Sequence, residues 1–210
     1  MQVLQAIAEA LQRGDVKGVK EGVASALAEG IDPKQILEEG MMSAMDIIGT
    51  KFKNNEIFVP EVLIAARAMN AGMEALKPKL VEAGVKPLGK MVIGTVKGDL
   101  HDIGKNMVRM MMEGAGFEVV DLGIDVSAEK FVEAVKEHQP EILGMSALLT
   151  TTMGEMKVVI DAITAAGLRD KVKIMVGGAP LTQSFADQIG ADAYCKNAAE
   201  AASAAKQLVG

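Results

Sequence analysis

The sequence predicts a bundle of four α-helices followed by an α/β domain built on a parallel sheet. Three observations carry that prediction. The first 84 residues hold four segments with apolar positions at helical spacing, joined by short turns. Residues 83–89, Ala-Gly-Val-Lys-Pro-Leu-Gly, crowd two glycines and a proline together and mark a boundary. Beyond it, short apolar runs alternate with amphipathic segments at the spacing of βα units, which implies a parallel sheet covered by helices on both faces. The expected division is a helical domain over 1–84, a hinge linker over 85–89 and an α/β domain over 90–210.

The first helix covers residues 2–12, with Val3, Leu4, Ile7, Ala8 and Leu11 as its stripe and Gly14 as its stop. Asp15 is placed to N-cap a second helix carrying Val16, Val19, Val23, Ala24 and Leu27, closed by Gly30. Asp32-Pro33 combines an N-cap with proline at the first helical position, and the third stripe is Ile36, Leu37, Met41, Ala44, Met45 and Ile48. Asn54-Asn55 breaks the pattern, and Val59-Pro60-Glu61 opens the fourth helix with Val62, Leu63, Ala66, Met69, Met73 and Leu76. Four single-faced helices with short connections bury those faces as an antiparallel bundle. In the second half, strands are expected at 91–96, 117–122, 141–146, 172–176 and 192–195. Helices are expected at 104–115, 127–138, 152–166, 180–189 and 197–208.

Composition narrows the functional classes. Half of the residues are apolar and 24% are charged, the balance of an ordinary globular chain. Aromatics make up only 3%, so the core is aliphatic, and the 15 methionines are best placed as gap fillers within it. A net charge of −6 offers no basic face for nucleic acid. The single cysteine, Cys195, cannot form an internal disulfide. No uncharged run approaches the ~20 residues of a membrane span. A cytoplasmic protein without membrane or nucleic-acid partners is the expectation.

Function concentrates in residues 90–107. The run at 91–96 reads as a buried strand, a polar loop follows from Gly98, and an apolar-periodic helix resumes near Ile103. That puts the loop at the carboxyl end of a strand, where ligands of open α/β sheets bind. His101 carries an imidazole able to ligate a metal. Asp99 can accept its other ring N–H and so set the tautomer. Gly104 lets a ligand approach the backbone. Alternatives fail on spacing. A phosphate loop needs Gly-x4-Gly-Lys-Ser/Thr, whereas Gly98 and Gly104 stand one residue too far apart and Asn106 replaces the hydroxyl. Two histidines and one cysteine make no structural zinc site. His138 reads as a solvated helix-end residue.

Asp99-Leu100-His101-Asp102-Ile103-Gly104, the pattern Asp-x-His-x-x-Gly, resembles the cobalamin-binding motif of proteins that hold B12 through a histidine below the cobalt. Ser146-Ala147-Leu148 after the third strand and Gly177-Gly178 after the fourth extend the resemblance in order. Nearly the whole chain is similar to the small corrinoid proteins of methyltransferase systems that use methanol, methylamines or betaines. The resemblance implies a flavodoxin- or Rossmann-like sheet in the order 2-1-3-4-5, beneath a helical cap.

It implies further that cobalamin or a related corrinoid binds with its own base displaced, His101 taking the lower position on cobalt. Asp99 and Thr152 would complete a relay. Gly98, Asp102, Ile103 and Gly104 would line the first loop. Ser146, Leu148, Thr150, Gly177 and Gly178 would line the groove for the cofactor tail. By themselves, residues 146–152 read equally as a polar loop with Thr152 capping the next helix, and the glycine pair as a turn. Phe58 and Met69 match the cap region, although each suits a core position as well. The cofactor would cycle between methylcobalamin and cob(I)alamin, and the chain alone would catalyse nothing. One methyltransferase would load it from the substrate, a second would pass the methyl to a folate or thiol coenzyme, and a reductive activase would restore it. The competing function, a B12-binding sensor, usually brings a Trp-bearing helix and a DNA-binding region, and this sequence has no Trp.

Overall fold

The computed structural model describes residues 2–210 as two compact units, 2–87 with 113–116, and 88–112 with 117–210. In the first unit, α1 (Gln2–Gln12) and α2 (Val16–Ala28) are separated at Asp15, whose carboxylate accepts the Gly18 N–H at 2.9 Å. Asp32 caps the next segment through the Lys34 and Gln35 N–H groups, with Pro33 in the first turn. The third predicted helix is not uniform. It starts as α3 (Pro33–Gln35), widens into π-helix over Ile36–Met42, and returns to α-helix as α4 (Ser43–Lys53). The apolar positions of the wide stretch explain the change. Ile36 and Leu37, and again Gly40, Met41 and Met42, are all buried, and adjacent residues share one face better when each advances by a smaller rotation.

Asn54 and Asn55 end α4, with Asn55 in the left-handed region at φ 58°. The last helix of the unit, α5 (Val59–Glu82), begins with Pro60 in its first turn, and the Phe58 N–H donates to the Glu61 carboxylate at 3.1 Å.

The second unit alternates strand and helix: β1 (Lys90–Thr95), α6 (Ile103–Gly114), β2 (Glu118–Asp121), α7 (Ala128–His138), β3 (Ile142–Ser146) and α8 (Glu155–Ala165). It continues through β4 (Lys173–Gly177), α9 (Gln183–Ile189), β5 (Ala193–Cys195) and α10 (Ala198–Val209). All strands are parallel in the order β2-β1-β3-β4-β5, which is the flavodoxin-like order. Strand alternation splits the core into two layers. Val92, Leu143 and Ile174 share a buried cluster with Phe131, Val135, Val159 and Ile163 of α7 and α8. Met91, Ile93, Ile142 and Met175, also buried, occupy the intervening strand positions and so point to the opposite face.

Two helix starts fall three residues later than the sequence suggests. The segment expected from 152 begins at Glu155, with Gly154 at the N-cap, because residues 150–154 form a turn. Thr152 therefore does not cap that helix. The segment expected from 180 begins at Gln183, where the Thr182 hydroxyl accepts the Phe185 N–H.

Candidate functional site

The strand order reverses direction at β1, which pairs with β2 on one side and β3 on the other. The loops leaving β1 and β3 therefore meet at the carboxyl edge of the sheet, at the switch point where ligands of such sheets lodge. Asp99 sits at that meeting point. Its side chain is fully buried, and each carboxylate oxygen is engaged. Oδ1 lies 2.7 Å from His101 Nδ1 and accepts the His101 backbone N–H at 3.1 Å. Oδ2 accepts the Leu148 N–H at 2.7 Å, the Leu149 N–H at 3.3 Å and the Thr152 hydroxyl at 2.7 Å. The Thr152 oxygen also lies 3.1 Å from the Leu149 carbonyl, but it has one proton and the nearer, charged acceptor is the stronger partner.

Burial works to raise the Asp99 pKa. The bonds from Leu148, Thr152 and His101 outweigh it and hold the carboxyl well below the usual carboxylate range. Asp99 is thus a fixed anion at neutral pH. An anion at Nδ1 keeps the proton on that nitrogen and leaves Nε2 as the nitrogen with a lone pair to give. The imidazole is half exposed, at 49%. No group of three or more His, Cys, Asp or Glu side chains among the described residues could hold a metal by itself. His101 could give a metal one protein ligand, the other donors coming from outside the chain.

The other residues expected to line the site are distributed over several elements. Asp102 and Ile103 open α6, with Ile103 74% exposed and Asp102 accepting the Asn106 side-chain N–H at 3.0 Å. A Cβ added at Gly104 would meet no atom within 4 Å, so the surface over that turn is open. Ser146 ends β3, and its carbonyl accepts the Val96 N–H at 3.0 Å. Leu148 contributes its backbone N–H to Asp99, while its side chain and Thr150 lie exposed. Gly178 has φ 141°, and a Cβ there would stand 1.8 Å from the Ala147 carbonyl oxygen. Its glycine identity is thus required by the protein's own β3 and β4 loops. Gly177 is less restrictive, a Cβ there reaching the Cys195 carbonyl at 3.2 Å. Phe58 and Met69 belong to the helical unit. Phe58 is 63% exposed and Met69 is fully buried, the plainer of its two sequence readings.

Several site residues escape sequence reasoning. Thr95 hides inside an apolar strand, yet its hydroxyl donates to the His101 carbonyl at 2.9 Å. Asp125, in the loop after β2, accepts the Gly98 N–H at 2.7 Å. Leu149 adds a second backbone donor to Asp99. Leu100, Ile124 and Leu149 also leave large side chains exposed, all in the loops after β1, β2 and β3. Apart from Thr95, which lies within a predicted strand, the one available signal was position just after a predicted strand.

The profile of the B12 binding domain family matches residues 89–206, and a second B12 binding domain profile matches residues 3–77. The dimethylamine corrinoid protein of Methanosarcina barkeri is 46% identical over 99% of this chain and 98% of its own. The trimethylamine corrinoid protein of the same organism is 46% identical over 94% and 92%. Among solved structures, the methanol:cobalamin methyltransferase complex of M. barkeri matches with a TM-score of 0.88 and 34% identity, covering 99% of this chain and 80% of that one. A cobalamin-binding protein from Desulfitobacterium hafniense matches at 0.83 and 36%, covering 99% and 98%.

The cofactor is a corrinoid, and the residues present suit it. A planar macrocycle needs one donor nitrogen from below, open backbone at its edge and apolar surface against its face. His101, Gly104 and the exposed Leu100, Ile103 and Leu148 side chains are of the kinds that could meet these needs.

Proposed function

Because this chain belongs to the family of corrinoid proteins of methylamine methyltransferase systems, we propose that it carries a methyl group on a corrinoid bound base-off, with His101 as lower cobalt ligand. The observation that carries this reading is the 2.7 Å contact from Asp99 Oδ1 to His101 Nδ1, on a carboxylate that is itself completely paired. When bound, the corrinoid supplies a cobalt centre that accepts and releases methyl. The protein supplies the rest. Asp99 keeps a proton on Nδ1 and so keeps Nε2 a donor. The Leu148 N–H and the Thr152 hydroxyl keep Asp99 ionised and in place. The exposed leucine and isoleucine side chains shield the lower face from water. Residues around Ser146, Thr150, Gly177 and Gly178 accommodate the displaced tail.

The helical unit is assigned the role of cap, with Phe58 its exposed candidate contact and residues 85–89 its hinge. The similarity to dimethylamine and trimethylamine corrinoid proteins supports a methylamine as the methyl source. One methyltransferase would read that amine and a second would deliver the methyl to a folate or thiol coenzyme. A reductive activase would return oxidised cobalt to service. No helix among the described residues is long and apolar enough to cross a membrane, and the cytoplasm is the assigned location.

The test is anaerobic reconstitution with hydroxocobalamin, reduction to cobalt(II) and EPR on protein grown with ¹⁵N-histidine. The expected result is a superhyperfine pattern that changes with the label and disappears in His101→Ala. A pattern indifferent to the label, or one showing the cofactor's own base still coordinated, sinks the ligand assignment.

A further inference from the structure

The loop that bears His101 is held by two residues that touch neither Asp99's carboxylate nor the imidazole. Thr95, the last residue of β1, is fully buried, and its hydroxyl donates to the His101 carbonyl at 2.9 Å. A buried hydroxyl without that acceptor would be costly, so the bond constrains both partners. Asp125 grips the other end of the loop from the segment after β2. Its carboxylate accepts the Gly98 N–H at 2.7 Å, and its own N–H donates to the Asp99 carbonyl at 3.1 Å. The backbone of Asp125 is left-handed, at φ 52°. Asp tolerates that conformation better than most residues, and there it points main chain and side chain at the same neighbouring loop. An isolated parallel bridge between Val96 and Val126 fastens the next step, with the Val126 N–H donating to the Thr95 carbonyl at 3.0 Å.

Together these bonds fix the peptide units at Gly98, Asp99 and His101, with Lys97 exposed before them and Leu100 exposed between Asp99 and His101. The Asp99–His101 side-chain contact is short and directional, and it spans only two residues. A small shift of either backbone would break it. Fixing both backbones from the strand below and the loop beside them removes that freedom before any ligand arrives. We propose that Thr95 and Asp125 are positioning residues that pre-set the His101 imidazole in one tautomer and one orientation in the cofactor-free protein. This deepens the ligand role assigned to His101 and rests on it.

The experiment uses the full chain without corrinoid, labelled with ¹⁵N-histidine, and reads the Nδ1 and Nε2 chemical shifts of His101 at neutral pH. Wild type should show predominantly the tautomer protonated at Nδ1. Thr95→Val is nearly isosteric and loses only the hydroxyl; Asp125→Ala loses the Gly98 acceptor. Each should raise the share of the other tautomer or of averaged signals by about fivefold, the worth of one ordinary hydrogen bond. Thr95→Ser, which keeps the hydroxyl, should restore the wild-type pattern. A loss of global packing without loss of positioning would leave these shifts alone. His101 shifts unchanged in both folded variants would overturn the inference, as would failure of Thr95→Ser to restore them. Should Thr95→Val fail to fold, Asp125→Ala and Thr95→Ser decide the matter. Because no cofactor is present, this outcome is separable from the EPR test, which alone judges whether His101 binds cobalt.

Discussion

Asp99 carries more of the site than any other side chain, because every donor it accepts is also a statement about where a neighbour must lie. Hydrogen bonds lower its pKa against the opposing effect of burial. In the unfolded chain the same group titrates at its ordinary value, about 3.8. Between the lowered folded value and that reference, the unfolded chain binds more protons, so stability rises with pH across that window. The contribution is complete above the unfolded pKa and drains away as pH falls toward the folded one. Asp99→Asn should therefore flatten the loss of stability between about pH 5 and 2, measured by urea unfolding across that range. At neutral pH the same variant should be less stable by about 1–3 kcal/mol, since an amide presents N–H groups to donors that need an acceptor. It should also weaken the hold of the imidazole on cobalt by about 10–100-fold, the usual effect of removing an outer partner of a metal-bound histidine. An acid limb identical in wild type and variant would remove Asp99 from the account of acid sensitivity.

At the level of elements, the loops matter more than the strands they leave. The chain after β4 passes so close to the chain after β3 that Gly178 has no room for a side chain. Gly178→Ala combines a left-side φ with a collision against backbone, and neither atom can rotate away. It should cost about 3 kcal/mol or more by urea unfolding, and a loss below 1 kcal/mol would mean that these loops are pliable.

A second joint ties α6 to β2. Lys105 Nζ, with its side chain 2% exposed, lies 2.5 and 2.6 Å from the Asp121 oxygens and 2.9 Å from Asn106 Oδ1. The ammonium is the more buried partner, so Asp121→Asn, which strands it, should cost more than Lys105→Met, which leaves Asp121 the Gly123 N–H. We expect about 3 kcal/mol for Asp121→Asn, and a double variant Lys105→Met/Asp121→Asn that recovers part of the loss. Additive losses in the double variant would show that the pair is not coupled.

For the whole molecule, the two units differ in what a ligand can do to them. The residues proposed to hold the corrinoid, 98–104, 146–152 and 177–178, all lie in the sheet unit. Binding to the folded state alone stabilises it by about 2.7 kcal/mol when free ligand stands at a hundred times Kd. Hydrogen exchange should register that linkage in β1, β3 and β4 as slowing by up to about a hundredfold with hydroxocobalamin. His101→Ala should bind with a smaller shift. Equal slowing in wild type and His101→Ala would show that the imidazole adds nothing to affinity.

The amino-acid sequence by itself determined the features that depend on neighbours along the chain. Helical stripes marked the bundle segments, Asp15 and Asp32 stood where the caps are, and short β-branched runs marked the strands. The Asp-x-His-x-x-Gly spacing was enough to pair Asp99 with His101, because two residues of loop hold those side chains within reach. Tertiary structure decided everything whose partners are distant. The Leu148 bond to Asp99 crosses 49 residues, and the Thr152 bond, which the family resemblance implied but spacing could not show, crosses 53. Asp125 reaches back 27 residues to Gly98. Thr95 looked like one more strand residue until the loop folded over its hydroxyl. The π-helical turn over Ile36–Met42 likewise answers to what surrounds it, because consecutive buried positions have no helical period to reveal them. Local periodicity is written in the order of residues, whereas a hydrogen-bond partner is chosen by which loops the strand order brings to one edge of the sheet.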